Sequence, residues 1–252
     1  MTQASDLPST TRLAKAALDQ CYKARDYVQL NATINVLSKK HGQLKGVVQA
    51  MVEQAMTWLA EIRQREGDAK WLELVETLRS VTEGKVCWKK YSFQTLAKWR
   101  YQIFLETPRA RVTLLLSHYH ENLSKLSSAK ASAIKESLET ASDLLSDLQV
   151  ETYSSMERRE KTEFILEQMR LLIALARLKD TEVSGKGKKE EKNAIGGGEP
   201  EWVKARVGGR KVNETFLKAK ENEVCWSILF WISIWTVNRY SLTRTSSSSF
   251  TI

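Results

Sequence analysis

The 252-residue chain has little of what several protein classes require. Three prolines and 11 glycines are few for a turn-rich β-sandwich, and they exclude a collagen-like repeat. Cys21, Cys87 and Cys225 form no CxxC motif and no close pair, so neither a disulfide framework nor a zinc site is indicated. This sparse use of cysteine is typical of a reducing compartment.

Targeting signals and membrane spans are also missing from the sequence pattern. Residues 1–11 are polar and lack the apolar core of a signal peptide. The longest apolar run, Val224–Val237, would extend about 21 Å as a helix, whereas a hydrocarbon core is about 30 Å thick. We therefore predict no transmembrane helix.

Positive charge and tryptophan are in excess. Lys and Arg number 39 against 30 Asp and Glu, which gives a net charge of +9 and a pI near 9.4, and the chain has eight tryptophans. A balance of this kind points to nucleic acid, an anionic membrane or an acidic partner. The hydrophobic fraction of 42% excludes a wholly disordered chain.

Apolar residues recur at helical spacing along most of the chain, beginning after a possible cap cluster at Ser9–Thr11. No strand-like alternation competes with this pattern. The predicted stripes are Leu13, Ala17, Cys21 and Ala24; Tyr27, Leu30, Ile34 and Leu37; Leu44, Val48, Met51, Ala55, Leu59 and Ile62; Trp71, Leu74, Leu78 and Val81; and Ile134, Leu138, Ala141, Leu145 and Leu148.

Two more helices are predicted towards the C-terminal end. Ser154 and Glu157 fit a capping box that opens a helix to about Leu178. Met169–Leu178 is apolar nearly all round, so we expect neighbours on two sides. After a low-complexity stretch that we predict to be a mobile loop, Glu182–Pro200, a last helix is predicted over Trp202–Glu223, interrupted early by Gly208–Gly209.

This helical rhythm predicts the all-α class. Consecutive amphipathic helices with short polar breaks pack as antiparallel hairpins, and hairpins at roughly forty-residue spacing are typical of an α-solenoid of the TPR or HEAT sort. No consensus repeat signature is present, so a compact helical bundle is the alternative.

Candidate chemistry is weak at every position. On a helix, His118 and His120 face different ways and do not make a metal pair. We predict no catalytic, cofactor-binding or metal-binding residues, no cofactor and no enzyme activity. The weak candidates, each interpreted as a surface or packing residue, are His41, His118, His120, the pairs Glu136/Glu139 and Glu157/Glu160, and Gly208–Lys211.

Several stretches together closely resemble one family, the PCI-domain scaffold subunits of the 26S proteasome lid of the non-ATPase regulatory subunit 12 type. The resemblance covers about Ala4–Lys85 and Ile103–Glu223. The stretches that carry it are Ser38–Lys45, Leu78–Lys85, Arg109–Thr113, Leu148–Glu157 and Glu160–Leu171, of which the last two form the densest block, LQVETYSSME followed by EKTEFILEQMRL.

The resemblance implies an α-solenoid that the family continues into a C-terminal PCI winged-helix module, which we do not find in this sequence. It implies a non-catalytic scaffold that contacts other lid subunits, with solenoid arms that reach towards the base ATPases and the core particle. It also implies a role in ubiquitin-dependent protein degradation, in cytoplasm and nucleus, with no specific nucleic acid and no membrane as partner. Two alternatives stay open: a COP9-signalosome-type PCI scaffold and a basic helical nucleic-acid-binding protein.

Two segments depart from the family, Val86–Gln102 and Val224–Ile252, and both begin Val-Cys-Trp. A common splice-donor sequence, GTATGT, reads Val-Cys when translated. We therefore hypothesise that Val86–Gln102 and the start of the tail are translated introns, which would make the chain a truncated or mis-spliced product. The alternative is a genuine amphipathic insertion around Phe93 and Leu96, and an N-terminal piece is also expected to be absent.

The predicted organisation places most of the unusual composition in these two segments. Val86–Gln102 has four basic residues and Val224–Ile252 has two, with no acidic residue in either, and they hold five of the eight tryptophans. The predicted parts are N-terminal repeats 1–85, an atypical insertion 86–102, further repeats 103–180, a flexible loop 181–200, a helix 201–223 and a disordered or sticky tail 224–252.

The intron hypothesis predicts a spliced transcript that joins the codon of Lys85 to the codon of Ile103. Alignment of cDNA reads to the genome across both Val-Cys-Trp junctions measures this directly. Transcripts that uniformly keep the codons of 86–102 would contradict it.

Overall fold

The computed structural model describes residues 6–39, 45–83, 95–125, 131–185 and 198–212. Within these ranges all regular structure is helical, which confirms the predicted all-α solenoid class. The elements are α1 (Leu7–Lys23), α2 (Tyr27–Lys39), α3 (Lys45–Glu66), α4 (Asp68–Thr82), α5 (Thr95–Lys125), α6 (Ala131–Ser146), a short 3-10 helix (Val150–Thr152), α7 (Arg158–Gly185) and α8 (Glu199–Lys211).

The chain divides into two compact units, and the division falls within α5. The first unit comprises Met1–Leu116 with Tyr153–Met156, and the second comprises Ser117–Thr152 with Glu157–Ile252. Each unit buries its own apolar side chains, so we describe each by itself.

In the first unit, α1 packs against α2 and α3, and α4 packs against α2 and α3. A single residue, Gly67, separates α3 from α4, and its φ of 87° lies in the left-handed region that favours glycine. A connection this short makes α3 and α4 antiparallel neighbours. The hairpins α1–α2 and α3–α4 therefore stack as two successive pairs of a solenoid.

The turn between α1 and α2 reaches the same left-handed geometry without a glycine. Arg25 has a φ of 57°, and its N–H donates to the Tyr22 carbonyl, while the Asp26 N–H donates to the Cys21 carbonyl. These two bonds form a Schellman motif, which satisfies carbonyls that the end of a helix otherwise leaves unpaired.

Three predicted stripes of the first unit are buried as expected. They are Tyr27, Leu30 and Ile34 on α2; Val48, Met51, Ala55, Leu59 and Ile62 on α3; and Trp71, Leu74, Leu78 and Val81 on α4. Leu37 is only half-buried, and the predicted Leu44 lies outside the described residues.

The predicted buried face of α1 is wrong. Ala14 and Leu18 are buried, whereas Leu13 is 73% exposed. The helix carries two overlapping apolar stripes, and packing against α2 and α3 covers only the one through Leu18. The predicted cap is displaced too, because the helix begins at Leu7 after Asp6 and includes Ser9.

In the second unit, α7 packs between α6 and α8. This confirms that the stretch Met169–Leu178, apolar nearly all round, has neighbours on two sides. The buried side chains of this stretch are Met169, Leu171, Leu172, Ile173, Leu175 and Ala176, and Trp202 and Ala205 of α8 complete one cluster with three of them.

Both predicted ends of α7 are corrected. The helix begins at Arg158, so Ser154 is too far upstream to cap it, and it continues past Leu178 to Gly185. The predicted capping box is wrong because the backbone N–H of Ser154 donates to the Glu106 carboxylate instead. Residues 186–197 of the predicted loop lie outside the described residues.

The predicted break of α8 at Gly208–Gly209 is also wrong. The helix is continuous from Glu199 to Lys211, and Pro200 lies in its first turn, where proline is tolerated. A Cβ atom on Gly208 would lie 3.1 Å from Met169 Cγ. The glycine therefore allows a close approach of α8 to α7, at a cost in helix propensity of about 1 kcal/mol.

The insertion predicted over 86–102 is described only in part. Its last residues, from Thr95, form the first turns of α5, and residues 86–94 lie outside the described residues. So do residues 213–223 of the predicted last helix and the whole predicted tail, 224–252. None of the helices in the described ranges is long and apolar enough to cross a bilayer.

Asn31 on α2 is a buried amide at 6% exposure, and neither of its side-chain polar atoms has a hydrogen-bond partner among the described residues. Leucine has the same branching and no unsatisfied polar atom. We therefore expect Asn31→Leu to raise the free energy of unfolding by about 1 kcal/mol, measured by urea denaturation followed by circular dichroism.

Asn35→Leu is the matched control, because the half-buried amide of Asn35 donates to the Asn31 carbonyl oxygen. We expect this variant to leave stability unchanged or lower it by about 0.5 kcal/mol. If Asn31→Leu were the more destabilising of the two, the Asn31 amide would be satisfied by bound water.

Candidate functional site

The weak candidates of the sequence do not assemble into a reactive cluster in the described ranges. His118 Nε2 lies 2.9 Å from Glu167 Oε1, and His120 makes an edge contact with the ring of Tyr119. Glu139 pairs with Lys179 at 2.8 Å. No group of three or more His, Cys, Asp or Glu suited to a metal ion is present among these residues, and His41 lies outside them.

The strongest charged contact of the second unit joins α5 to α7. Glu121 is only 8% exposed, and both of its carboxylate oxygens accept from Arg170, at 2.6 Å from Nη1 and 2.6 Å from Nη2. Lys125 approaches the same carboxylate at 2.9 Å. The fork of the guanidinium matches the two oxygens, which makes this pair geometrically specific as well as strong.

Glu167 extends this pair into a network. Its oxygens accept from Arg170 Nε and Nη2, both at 2.8 Å, and Oε1 also accepts from His118. A single guanidinium therefore pairs with two carboxylates. We call the four residues Glu121, Arg170, Glu167 and His118 the α5–α7 network.

The network holds both carboxylates in the ionised form. The hydrogen bond from Arg170 lowers the pKa of Glu121 to about 2, against the opposing effect of burial. Burial also opposes ionisation of Glu167, but hydrogen bonds from His118 and Arg170 outweigh it and lower the pKa of Glu167 to about 2. The same contacts raise the pKa of Arg170 above its ordinary value.

The densest block of family resemblance, Leu148–Leu171, builds the turn from α6 to α7. Gln168 Nε2 donates to the carbonyl oxygens of Leu145 and Leu148, at 2.5 and 3.0 Å. The Leu145 carbonyl lies in the last turn of α6 and also accepts from the Leu148 N–H at 3.2 Å, and Leu148 follows the helix. The Gln168 amide therefore caps the end of α6 from the side of α7. Val150, Phe164 and other apolar residues of the block are buried around this cap.

Part of the same block belongs to the first unit. Tyr153 and Met156 are buried, the backbone N–H of Ser154 donates to Glu106 at 3.1 Å, and Ser155 contacts the Thr107 hydroxyl at 2.9 Å. The block thus supplies packing and backbone hydrogen bonds in both units.

A second polar cluster fixes α8 on α7. The Asp180 carboxylate accepts from Trp202 Nε1 at 2.9 Å and from the Gly198 N–H at 3.2 Å, which fixes the start of α8. Lys179 bridges Glu139 and Glu201, at 2.8 and 2.9 Å. Burial works against the charged form of Lys179, but hydrogen bonds to the two carboxylates outweigh it and raise its pKa.

Sequence reasoning missed both clusters. The signal for the α5–α7 network is Arg170, which with Arg177 is one of two charged residues inside the otherwise apolar segment Met169–Leu178. Its partner Glu121 is 49 residues away along the chain, so helical spacing alone does not bring the two together.

We expect the free energy of unfolding of the second unit to fall as pH decreases from about 5 to about 2. The folded pKa values of Glu121 and Glu167, about 2, lie below the unfolded value of about 4.3, so acid favours the unfolded state. For two carboxylates that are partly screened by solvent, we expect the free energy of unfolding to fall by about 3 kcal/mol in total. Urea denaturation at a series of pH values measures it.

Arg170→Met should flatten this pH dependence and, at neutral pH, lower stability by about 2 kcal/mol, because it leaves the buried Glu121 carboxylate with only the exposed Lys125 as a cationic partner. Arg159→Met is the matched control, since Arg159 and Glu163 pair on an exposed surface, where such pairs contribute about 0–1 kcal/mol. Equal pH slopes in the wild type and Arg170→Met would disprove a role for the network.

The sequence of this chain is similar to one protein family and to several known proteins. The family model described as "PSMD12/CSN4, N-terminal" matches residues 1–91 and 91–226. The Dictyostelium discoideum protein named 26S proteasome non-ATPase regulatory subunit 12 is 30% identical over 88% of this chain and 37% of its own length. The Saccharomyces cerevisiae 26S proteasome regulatory subunit RPN5 is 36% identical over 68% of this chain and 32% of its own.

A plant relative shows a similar level of identity to this chain. The Arabidopsis thaliana 26S proteasome non-ATPase regulatory subunit 12 homolog B is 34% identical over 69% of this chain and 32% of its own length. The chain therefore spans about a third of the length of the curated relatives it matches. The family match covers most of the chain, including the α6–α7 turn and the α5–α7 network. This chain belongs to the PSMD12/CSN4 N-terminal family.

Proposed function

We propose that this chain is a non-catalytic scaffold component of the 26S proteasome regulatory-particle lid, and that it supports ubiquitin-dependent protein degradation in the cytoplasm and nucleus. The observation that carries the proposal is the similarity to subunits named for the 26S proteasome, which extends over both units of the chain. Its partners in this role are other lid subunits, and its solenoid also faces the base ATPases and the core particle.

The contacts made by the block that most resembles the family, Leu148–Leu171, support a scaffold role. Within Leu148–Leu171, Gln168 caps a neighbouring helix, Arg170 holds two carboxylates, and the apolar residues are buried. A block devoted to packing and helix capping serves the shape of the molecule, whereas an enzyme family preserves reactive groups around a pocket.

A COP9-signalosome-type scaffold is the alternative within the family, because the matched family description names both PSMD12 and CSN4. The relatives reported above are all named for the proteasome, which favours the lid. A nucleic-acid-binding role would rest on the net charge of +9, but six of those charges come from 86–102 and 224–252, outside the stretches Ala4–Lys85 and Ile103–Glu223 that carry the sequence resemblance.

We also propose that 86–102 and the start of 224–252 are translated introns. The family match supports an interruption here, because its two parts, 1–91 and 91–226, meet inside 86–102 and the second part ends close to the Val-Cys-Trp junction at 224. The proposed domain boundaries at 85/86, 102/103 and 223/224 follow from the same reasoning.

Affinity purification of the tagged full chain, followed by quantitative mass spectrometry, tests the scaffold role. We expect lid subunits to co-purify in fixed ratios and to resist high salt, because scaffold interfaces bury apolar area in addition to pairing charges. A chain in which Lys85 is joined directly to Ile103 is the matched comparison, and it should recover at least as much lid.

The outcomes separate the candidates. Enrichment of COP9 signalosome subunits in place of lid subunits would favour the second scaffold. Recovery that is lost after nuclease treatment, with steep salt dependence, would favour nucleic-acid binding. Complete absence from both complexes would show that the chain does not act as a scaffold of either.

A further inference from the structure

The outer faces of α1 and α2 are apolar and exposed. Leu13 of α1 is 73% exposed, and Val28 and Val36 of α2 are 71% and 66% exposed. Scattered apolar residues are normal on a protein surface, but these side chains follow helical spacing. We call the set Leu13, Ala16, Val28, Ala32 and Val36 the α1–α2 apolar face.

The spacing makes this face continuous along each helix. Val28, Ala32 and Val36 lie at i, i+4 and i+8, so they form one ridge about 12 Å long on α2. Leu13 and Ala16 lie at i and i+3 on α1, and both are exposed. Alanines beside larger residues leave shallow grooves in which the side chains of another helix pack.

Positive charge predominates around the face, because residues 6–39 hold five basic residues and three acidic ones, Asp6, Asp19 and Asp26. Arg12, Lys23 and Lys39 are exposed, and none of them forms an ion pair among the described residues. α2 contains no acidic residue, and the single acidic residue of α1, Asp19, accepts from Gln54 on α3. Asp26, in the turn, accepts from the backbone N–H of Gln29.

The three cations lie at the two ends of the face. The short turn makes α1 and α2 antiparallel neighbours, so Arg12 near the start of α1 and Lys39 at the end of α2 are at the same end of the hairpin. Lys23 lies at the other end. The hairpin therefore offers an apolar ridge with a positive charge beyond each end.

From this juxtaposition we propose that the α1–α2 apolar face docks an acidic amphipathic helix of a partner protein. The partner helix places its apolar side on Leu13, Val28 and Val36, and its carboxylates meet Arg12, Lys23 and Lys39. The inference names the chemistry of one partner of the proposed scaffold, and in that sense it rests on the proposed function.

Charge argues against a second copy of the chain as the occupant, because two such faces would bring like charges together. Nucleic acid is disfavoured because the face offers no aromatic ring for base stacking. A membrane surface is disfavoured because interfacial helices carry Trp, Phe and Leu on the buried side, whereas this face has no aromatic residue and one leucine among valines and alanines.

Photo-crosslinking in the intact full chain tests the proposal. A photoreactive amino acid replaces Ala32, at the middle of the ridge, and crosslinked peptides from cells are sequenced by mass spectrometry. We expect a peptide rich in Glu and Asp with apolar residues at helical spacing. The charge reversals Arg12→Glu and Lys39→Glu together should lower the crosslink yield about tenfold, as should Val28→Ser with Val36→Ser.

Val203 on α8 provides the matched controls, since it is an apolar residue of similar exposure, at 56%, in the other unit. Val203→Ser should leave the yield at position 32 unchanged, and a photoprobe at Val203 should not capture the same peptide. Because all substituted residues are exposed, the variants should keep the wild-type circular dichroism spectrum and thermal midpoint.

Crosslinks from position 32 to a second copy of this chain, to lipid, to nucleic acid, to no molecule or to a peptide without acidic residues would overturn the proposal. An acidic helical peptide crosslinked at position 32, together with no co-purification of lid subunits, would uphold the docking surface while the proposed lid role fails. Co-purification of the lid with any of the overturning results would uphold the lid role while this inference fails.

Discussion

The second unit depends on covering an α-helix that is apolar around most of its circumference. Most side chains of α7 over Met169–Leu178 are apolar and buried. The helix is therefore stable in water only when α6 covers one side of it and α8 covers the other. The close approach of α8 follows from this, because Gly208 leaves room for Met169. The hydrogen bonds from Gly198 and Trp202 to the Asp180 carboxylate then fix where α8 begins.

Arg170 shows how a charge is accommodated next to this apolar surface. A guanidinium beside a buried carboxylate costs desolvation, and the cost is offset only when the hydrogen bonds are well formed. Here one guanidinium meets four carboxylate oxygens from Glu121 and Glu167. The geometry links α5 to α7 within the unit and lowers the pKa of both acids.

The side chains of the family-like block, Leu148–Leu171, stabilise the packing of the helices. Its polar side chains satisfy helix ends and pair with neighbouring helices, and its apolar side chains are buried. In the scaffold role proposed above, the chain would act through its surfaces, and specificity would come from the pattern of charge and apolar area on exposed helix faces. The α1–α2 hairpin, with an exposed apolar ridge and a cation near each end, presents such a face.

The sequence by itself determined the all-α class, the apolar stripes on α2, α3 and α4, and the family, because 3.6-residue periodicity and a long motif are properties of the chain alone. It predicted no apolar stripe for α5, the longest of the described helices. Only the tertiary structure decided which of two overlapping stripes on α1 is buried, because that choice depends on where α2 and α3 lie. The same holds for Gly208, where a close approach replaced the expected break, and for Gln168 and Arg170. Their partners are distant along the chain, so packing brings them together and local spacing does not.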